Sequence, residues 1–151
     1  MRKLLEQSKY LAWIAVIGLL VTAILAFLAG LGKLVAVFVA LGTSYGMHPM
    51  MTLYVIRVAD AFLVATALLV FAISLYELFI GELTVPDWML VRNLYDLEVK
   101  LAGVIVLVMA VKFLEKLLES KSAQDTLYMA LAVGVVSIVL VIFQNSGPKP
   151  K

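Results

Sequence analysis

The sequence predicts an all-α fold: a polytopic membrane helical bundle with about four transmembrane helices. Three observations point there. First, 64% of the 151 residues are hydrophobic and the mean hydropathy is +1.09. Soluble domains are roughly 45–50% apolar, and a water-soluble chain of this size could not hide the excess in one core. Second, the apolar residues fall in runs long enough to cross a bilayer. Third, Lys and Arg stand mainly at the ends of those runs, where their long stems reach the headgroups.

The first run, Tyr10 to Gly32, carries no charge and follows Arg2, Lys3 and Lys9. It exceeds the ~7–15 apolar residues of a signal peptide and lacks a small-x-small cleavage site, so it is read as a retained helix. After Lys33 the chain is apolar again to Leu41, and one helix from about Leu4 to Leu41 is expected. Its length, roughly 55 Å, exceeds a hydrocarbon layer of about 30 Å. It must therefore tilt, kink at Gly30 or Gly32, or project into water.

Turn formers from Gly42 to Pro49 separate it from a second helix, about Met51 to Ile80. That helix carries Arg57 and Asp60 near its start and Glu77 near its end. A connector through Gly81 and Pro86 leads to a third helix, about Asp87 to Ser120. Its apolar centre, Leu101 to Val111, is short, so Lys100 and Lys112 are expected to snorkel outward from within the span. Lys112, Glu115, Lys116 and Glu119 form a charged extension opposite Leu114, Leu117 and Leu118. A fourth helix is expected from Thr126 to Phe143. Residues 1–145 thus form one transmembrane domain, and 146–151 a polar, flexible tail.

Basic residues set the expected orientation. With the N-terminus inside, Arg2, Lys3, Lys9, Arg92, Lys149 and Lys151 are cytoplasmic, and Lys33, Lys112, Lys116 and Lys121 lie opposite. Both termini are expected on the cytoplasmic side of the inner membrane.

Composition also excludes functions. With no cysteine there is no disulfide, thiolate metal site or Cys nucleophile. A net charge of +2 without a basic tract gives no nucleic-acid footprint. The single histidine, His48, cannot build a His-rich metal site. Gly42-Thr43-Ser44-Tyr45-Gly46 matches Gly-x-Ser-x-Gly, but that motif works on a strand-to-helix elbow, absent between two hydrophobic helices. No phosphate loop or dinucleotide fingerprint is present. No cofactor, no metal and no enzymatic activity are expected.

A spaced series runs through the middle of the chain. It comprises Asp60, Leu75-Tyr76-Glu77-Leu78-Phe79-Ile80, Pro86 and Trp88, Asp96-Leu97-Glu98-Val99-Lys100-Leu101, and Phe113-Leu114-Glu115. With Leu5-Glu6 and Tyr10 it resembles the YqhA-like family of uncharacterised bacterial and archaeal membrane proteins, over most of the first three helices. The resemblance implies a multi-span membrane protein and no known reaction. The chain departs from the family pattern at Ala12-Trp13 and at Glu98.

Two patterns remain. Small residues recur four apart at Gly18, Thr22, Ala26 and Gly30, and seven apart at Asp60, Ala67, Ser74 and Gly81. Ala130 and Gly134 add a short pair in the fourth helix. Such stripes let helices approach closely in lipid, within one chain or between copies. Charges near the apolar layer form two levels, because an ionised group facing acyl chains costs at least about 2.5 kcal/mol. Lys33, Arg57, Asp60, Lys112 and Glu115 share one level; Glu77, Glu82, Glu98 and Lys100 share the other. The candidate intramembrane polar site is therefore Asp60, Glu77, Lys100, Lys112, Lys33 and Arg57. Glu77 is expected to meet Lys100, within one protomer or between protomers, and Asp60 to meet Lys33, Arg57 or Lys112. Tyr10, Trp13, Tyr54, Tyr76, Trp88 and Tyr95 are expected as interface anchors.

The expected partners are the lipid bilayer, further copies of the chain, and no nucleic acid. The expected function is a homo-oligomeric, transport-related or channel-like protein. The alternative is a non-conducting accessory or scaffold subunit for another membrane protein.

Overall fold

The structure, a computed structural model, describes residues 2–44, 49–86 and 94–147, with backbone only for residues 2–6 and 44. The elbow-like motif beyond residue 44, His48, the expected helix start at Asp87, Trp88, Arg92, Lys149 and Lys151 lie outside the described residues. Four helices follow in chain order: α1 (Arg2–Ser44), α2 (Met51–Phe79), α3 (Leu94–Glu119) and α4 (Ala123–Ser146). The fold is all-α, and among the described residues there is no strand.

α1 runs through Gly30, Gly32 and Lys33 without a break. Its 43 residues make a rod about 65 Å long, so its apolar sequence past Lys33 continues as helix beyond the charged level. α2 ends where the N–H groups of Ile80 and Gly81 both donate to the Tyr76 carbonyl. α4 begins three residues before Thr126 because Ser122 caps it: its hydroxyl accepts from the Asp125 N–H at 3.4 Å. Ser120 Oγ donates to the Ser122 carbonyl at 2.9 Å, which tightens the α3–α4 turn.

Three helices are long and apolar enough to cross a membrane: Gln7–Thr43, Met51–Phe79 and Ala123–Ser146. Among the described residues α3 does not meet that length-and-composition measure. The reason is the short stretch between Lys100 and Lys112, with acidic residues beyond both ends. α3 nevertheless lies between two spanning helices, since it packs on α2 and on α4.

The helices pack in series. α1 packs on α2, α2 on α3 and α3 on α4, and among the described residues no other pair is in contact. The buried stripe of α1 is Val16, Ala23, Gly30 and Val37, spaced by seven. The four-spaced stripe read from sequence does not form the seam as a unit: Gly30 belongs to it, but Thr22 is exposed and spends its hydroxyl on the Gly18 carbonyl at 2.7 Å. A seven-residue period is that of left-handed coiled-coil packing. α2 uses two faces. Phe62 reaches Gly30 and Phe27, and Tyr76 meets the Trp13 ring edge-on at 5.7 Å, both toward α1. Arg57, Asp60, Ala67 and Ser74 turn toward α3.

Outside these seams the helices are apolar and exposed. Ile24, Leu25 and Leu28 of α1, and Leu131, Val135, Ile138 and Ile142 of α4, are more than half exposed. No α4 residue is buried within the chain. Bilayer contact accounts for such surfaces, because lipid tails are as apolar as the side chains.

Candidate functional site

The α2–α3 seam carries charges at one end. Arg57, one turn into α2, and Asp60, three residues later, share a helix face. Lys112, Glu115 and Glu119 do the same on α3. Arg57 Nε donates to Glu115 Oε1 at 2.8 Å, and its Nη2 pairs with Glu119. Lys112 Nζ lies 2.7 Å from Asp60 Oδ2 and 3.1 Å from Glu115 Oε2. Two cations thus hold three carboxylates in one chain of contacts. Asp60 is only 6% exposed, and its Oδ1 is buried with no hydrogen-bond partner. The Lys112 ammonium is what allows an ionised carboxylate there, since burying one unpaired costs several kcal/mol.

Of the three cations expected near Asp60, Lys112 makes the contact. Arg57 turns to the glutamates instead. Lys33 lines a cavity of about 500 Å³ between α1 and α2, shared with Arg57, Tyr54 and Thr43. Glu119, which the sequence placed only on a solvated charged face, is a full member of the cluster. Its position four residues after Glu115 was the available signal.

The other end of the seam is built differently. A cavity of about 400 Å³ opens along the α2–α3 seam, with α1 contributing Leu19 to a lining that includes Ala67, Phe71, Ser74, Lys100 and Val104. A second hollow on the seam shares Ala67, Val70, Lys100, Val104 and Val108. Ser74 is fully buried and donates to the Val70 carbonyl at 2.7 Å. Among the described residues of one chain no ion pair joins Glu77 to Lys100, and Glu77 Oε2 is buried without a hydrogen-bond partner there. The register of the seam explains it. With Arg57 opposite Glu115 and Asp60 opposite Lys112, antiparallel helices place Glu77 near Tyr95. Lys100 is then about 7.5 Å further along α3, at about 1.5 Å per residue.

A third polar contact joins α3 to α4. Gln144 donates through its amide to the Val99 carbonyl at 3.0 Å, and Tyr95 donates through its hydroxyl to the Gln144 carbonyl at 2.9 Å. Tyr95 is thus a helix-to-helix link, as is Tyr76 against Trp13. Among the described residues no three His, Asp or Glu side chains converge as metal ligands.

Chemically, the seam offers one buried, cation-held carboxylate and an apolar hollow with a lysine on its wall. Comparison with curated proteins and with solved structures yields no match. Residues 5–117 match the uncharacterized protein family UPF0114. That stretch takes in α1, α2 and almost all of α3, leaves α4 out, and contains every member of the charged cluster except Glu119. The chain, with three helices long and apolar enough to cross a membrane, therefore belongs to the family UPF0114, the YqhA family that its sequence resembles.

Proposed function

We propose that the protein is a homo-oligomeric, transport-related membrane protein whose α2–α3 seam contributes a pathway for a solute or ion. One observation carries this reading: a single seam combines the buried Asp60 carboxylate with an open cavity of about 400 Å³. Ionisable groups held inside a membrane protein against polar partners, in one seam with unfilled space, are the usual components of pathways. The placement in the inner membrane, with both termini cytoplasmic, belongs to the same proposal and rests on the basic-residue bias.

The accessory reading is favoured by a different observation: α4 buries none of its residues within the chain, which leaves a whole helix for another membrane protein. Flux separates the two. Purified protein in liposomes is expected to pass small cations, and Asp60→Asn to alter that flux while the oligomer, measured by mass in detergent, stays intact. A wild-type protein with no flux, or an Asp60→Asn variant with wild-type flux, removes the pathway reading.

A further inference from the structure

Lys33 stands apart from the other charges at its level. Arg57 and Lys112 are held by carboxylates. Lys33 is exposed and has no carboxylate within 4 Å among the described residues. It sits on the rim of the cavity of about 500 Å³ between α1 and α2, with Thr43, Tyr54 and Arg57. The walls are Ala36, Val37 and Ala40 of α1, whose small side chains leave the room.

The donors in this cavity can be counted. Thr43 spends its hydroxyl on the carbonyls of Val39 and Ala40, at 3.0 and 3.3 Å. Arg57 has five N–H groups and uses Nε and Nη2 on the glutamates, so among the described residues no carboxylate takes its Nη1 hydrogens. Lys33 brings three further donors and a full positive charge. Height decides what meets them. Toward the N-terminus of α1 lie Ile24, Leu28 and Leu31, 49–58% exposed and fit for acyl chains. The cavity lies on the other side of Lys33, at the level of Arg57 and its ion pairs, and charge gathers in this way where headgroups lie.

We propose that this cavity binds the headgroup of an anionic phospholipid: the phosphate on Lys33 and the Arg57 Nη1 donors, the headgroup in the cavity, and one acyl chain along Leu31, Leu28 and Ile24. The carboxylates that hold Arg57 fix its guanidinium in place for the phosphate. Lys33 supplies the positive charge on the rim that no carboxylate among the described residues holds within 4 Å, and this favours an anionic lipid over a zwitterionic one. The site does not depend on whether the protein conducts.

The test uses the full chain in nanodiscs of phosphatidylcholine with stepped amounts of phosphatidylglycerol, extracted gently and weighed by native mass spectrometry. Phosphatidylglycerol is expected to stay bound in preference to phosphatidylcholine. Lys33→Gln is expected to reduce that preference about fivefold, the effect of one lysine near an anionic surface, and Lys33→Arg to retain it. Lys9→Gln, the same charge change at the far end of α1, is expected to leave it unchanged. Inorganic phosphate at millimolar concentration is expected not to displace the lipid. Equal retention of the two lipids overturns the proposal, and so do matching losses in Lys33→Gln and Lys9→Gln. Displacement by inorganic phosphate overturns the lipid as occupant.

Discussion

At the scale of single residues, the organising pair is Asp60 and Lys112. Removing the cation alone leaves a carboxylate that is 6% exposed with nothing to neutralise it. Lys112→Met is therefore expected to cost about 3 kcal/mol. Replacing both, as Asp60→Leu with Lys112→Met, is expected to recover most of that, because no charge is then stranded. Unfolding in detergent with increasing denaturing surfactant measures all three. Equal losses in the single and double variants would show that the pair is not coupled. The membership of Asp60 and Lys112 was legible in the sequence, since a carboxylate just inside an apolar stretch demands a partner at its own depth. No ion pair within the described chain joins Glu77 to Lys100, and the reason is geometric. Equal depth brings two residues to the same level only if the helix register is known, and the register is set by the Arg57 and Asp60 contacts at the opposite end of the seam.

At the scale of elements, α1 and α2 meet through a seven-residue repeat that the sequence half concealed. Small residues at Gly18, Thr22, Ala26 and Gly30 drew attention as a close-packing stripe, yet the seam runs along Val16, Ala23, Gly30 and Val37, where valines share the duty with Ala and Gly. Residue size alone could not choose between the two stripes, because Gly30 belongs to both. The two glycines therefore predict opposite outcomes. A Cβ at Gly18 would meet no neighbour, so Gly18→Ala is expected to be neutral or stabilising by about 0.5–1 kcal/mol. At Gly30 a Cβ already lies 3.3 Å from the Phe62 ring, so Gly30→Leu is expected to destabilise by about 1–3 kcal/mol through overpacking. The same detergent unfolding assay ranks them, and a Gly30→Leu protein as stable as wild type would show that the seven-residue seam does not exist. α4 starts at Ala123, ahead of the expected Thr126, because Ser122, inside an expected loop, caps it.

At the scale of the whole molecule, α4 is set apart by three observations: it touches only α3, buries none of its residues and falls outside the stretch shared with the family. Its polar attachments described here are the Gln144–Val99 and Tyr95–Gln144 hydrogen bonds. A chain ending at Ser120 is expected to keep the α1–α2–α3 arrangement and the charged cluster, with unfolding weakened by only about 1–2 kcal/mol, the worth of two such bonds. Circular dichroism and the detergent transition check it; loss of the transition would make α4 a structural necessity. Four helices were countable from sequence, but their serial arrangement was not. Apolar surfaces that end in lipid and those that end against a neighbouring helix have the same composition, so hydropathy cannot say which helix touches which.

The serial packing also bears on how the protein is made. Every helix–helix contact described here joins a helix to the one synthesised just before or just after it. Each segment leaving the ribosome therefore finds its partner already in the membrane, and no early helix waits for a late one. Contacts between sequence neighbours close short loops at little entropic cost, so assembly can proceed hairpin by hairpin during synthesis, with α1–α2 complete before α4 exists.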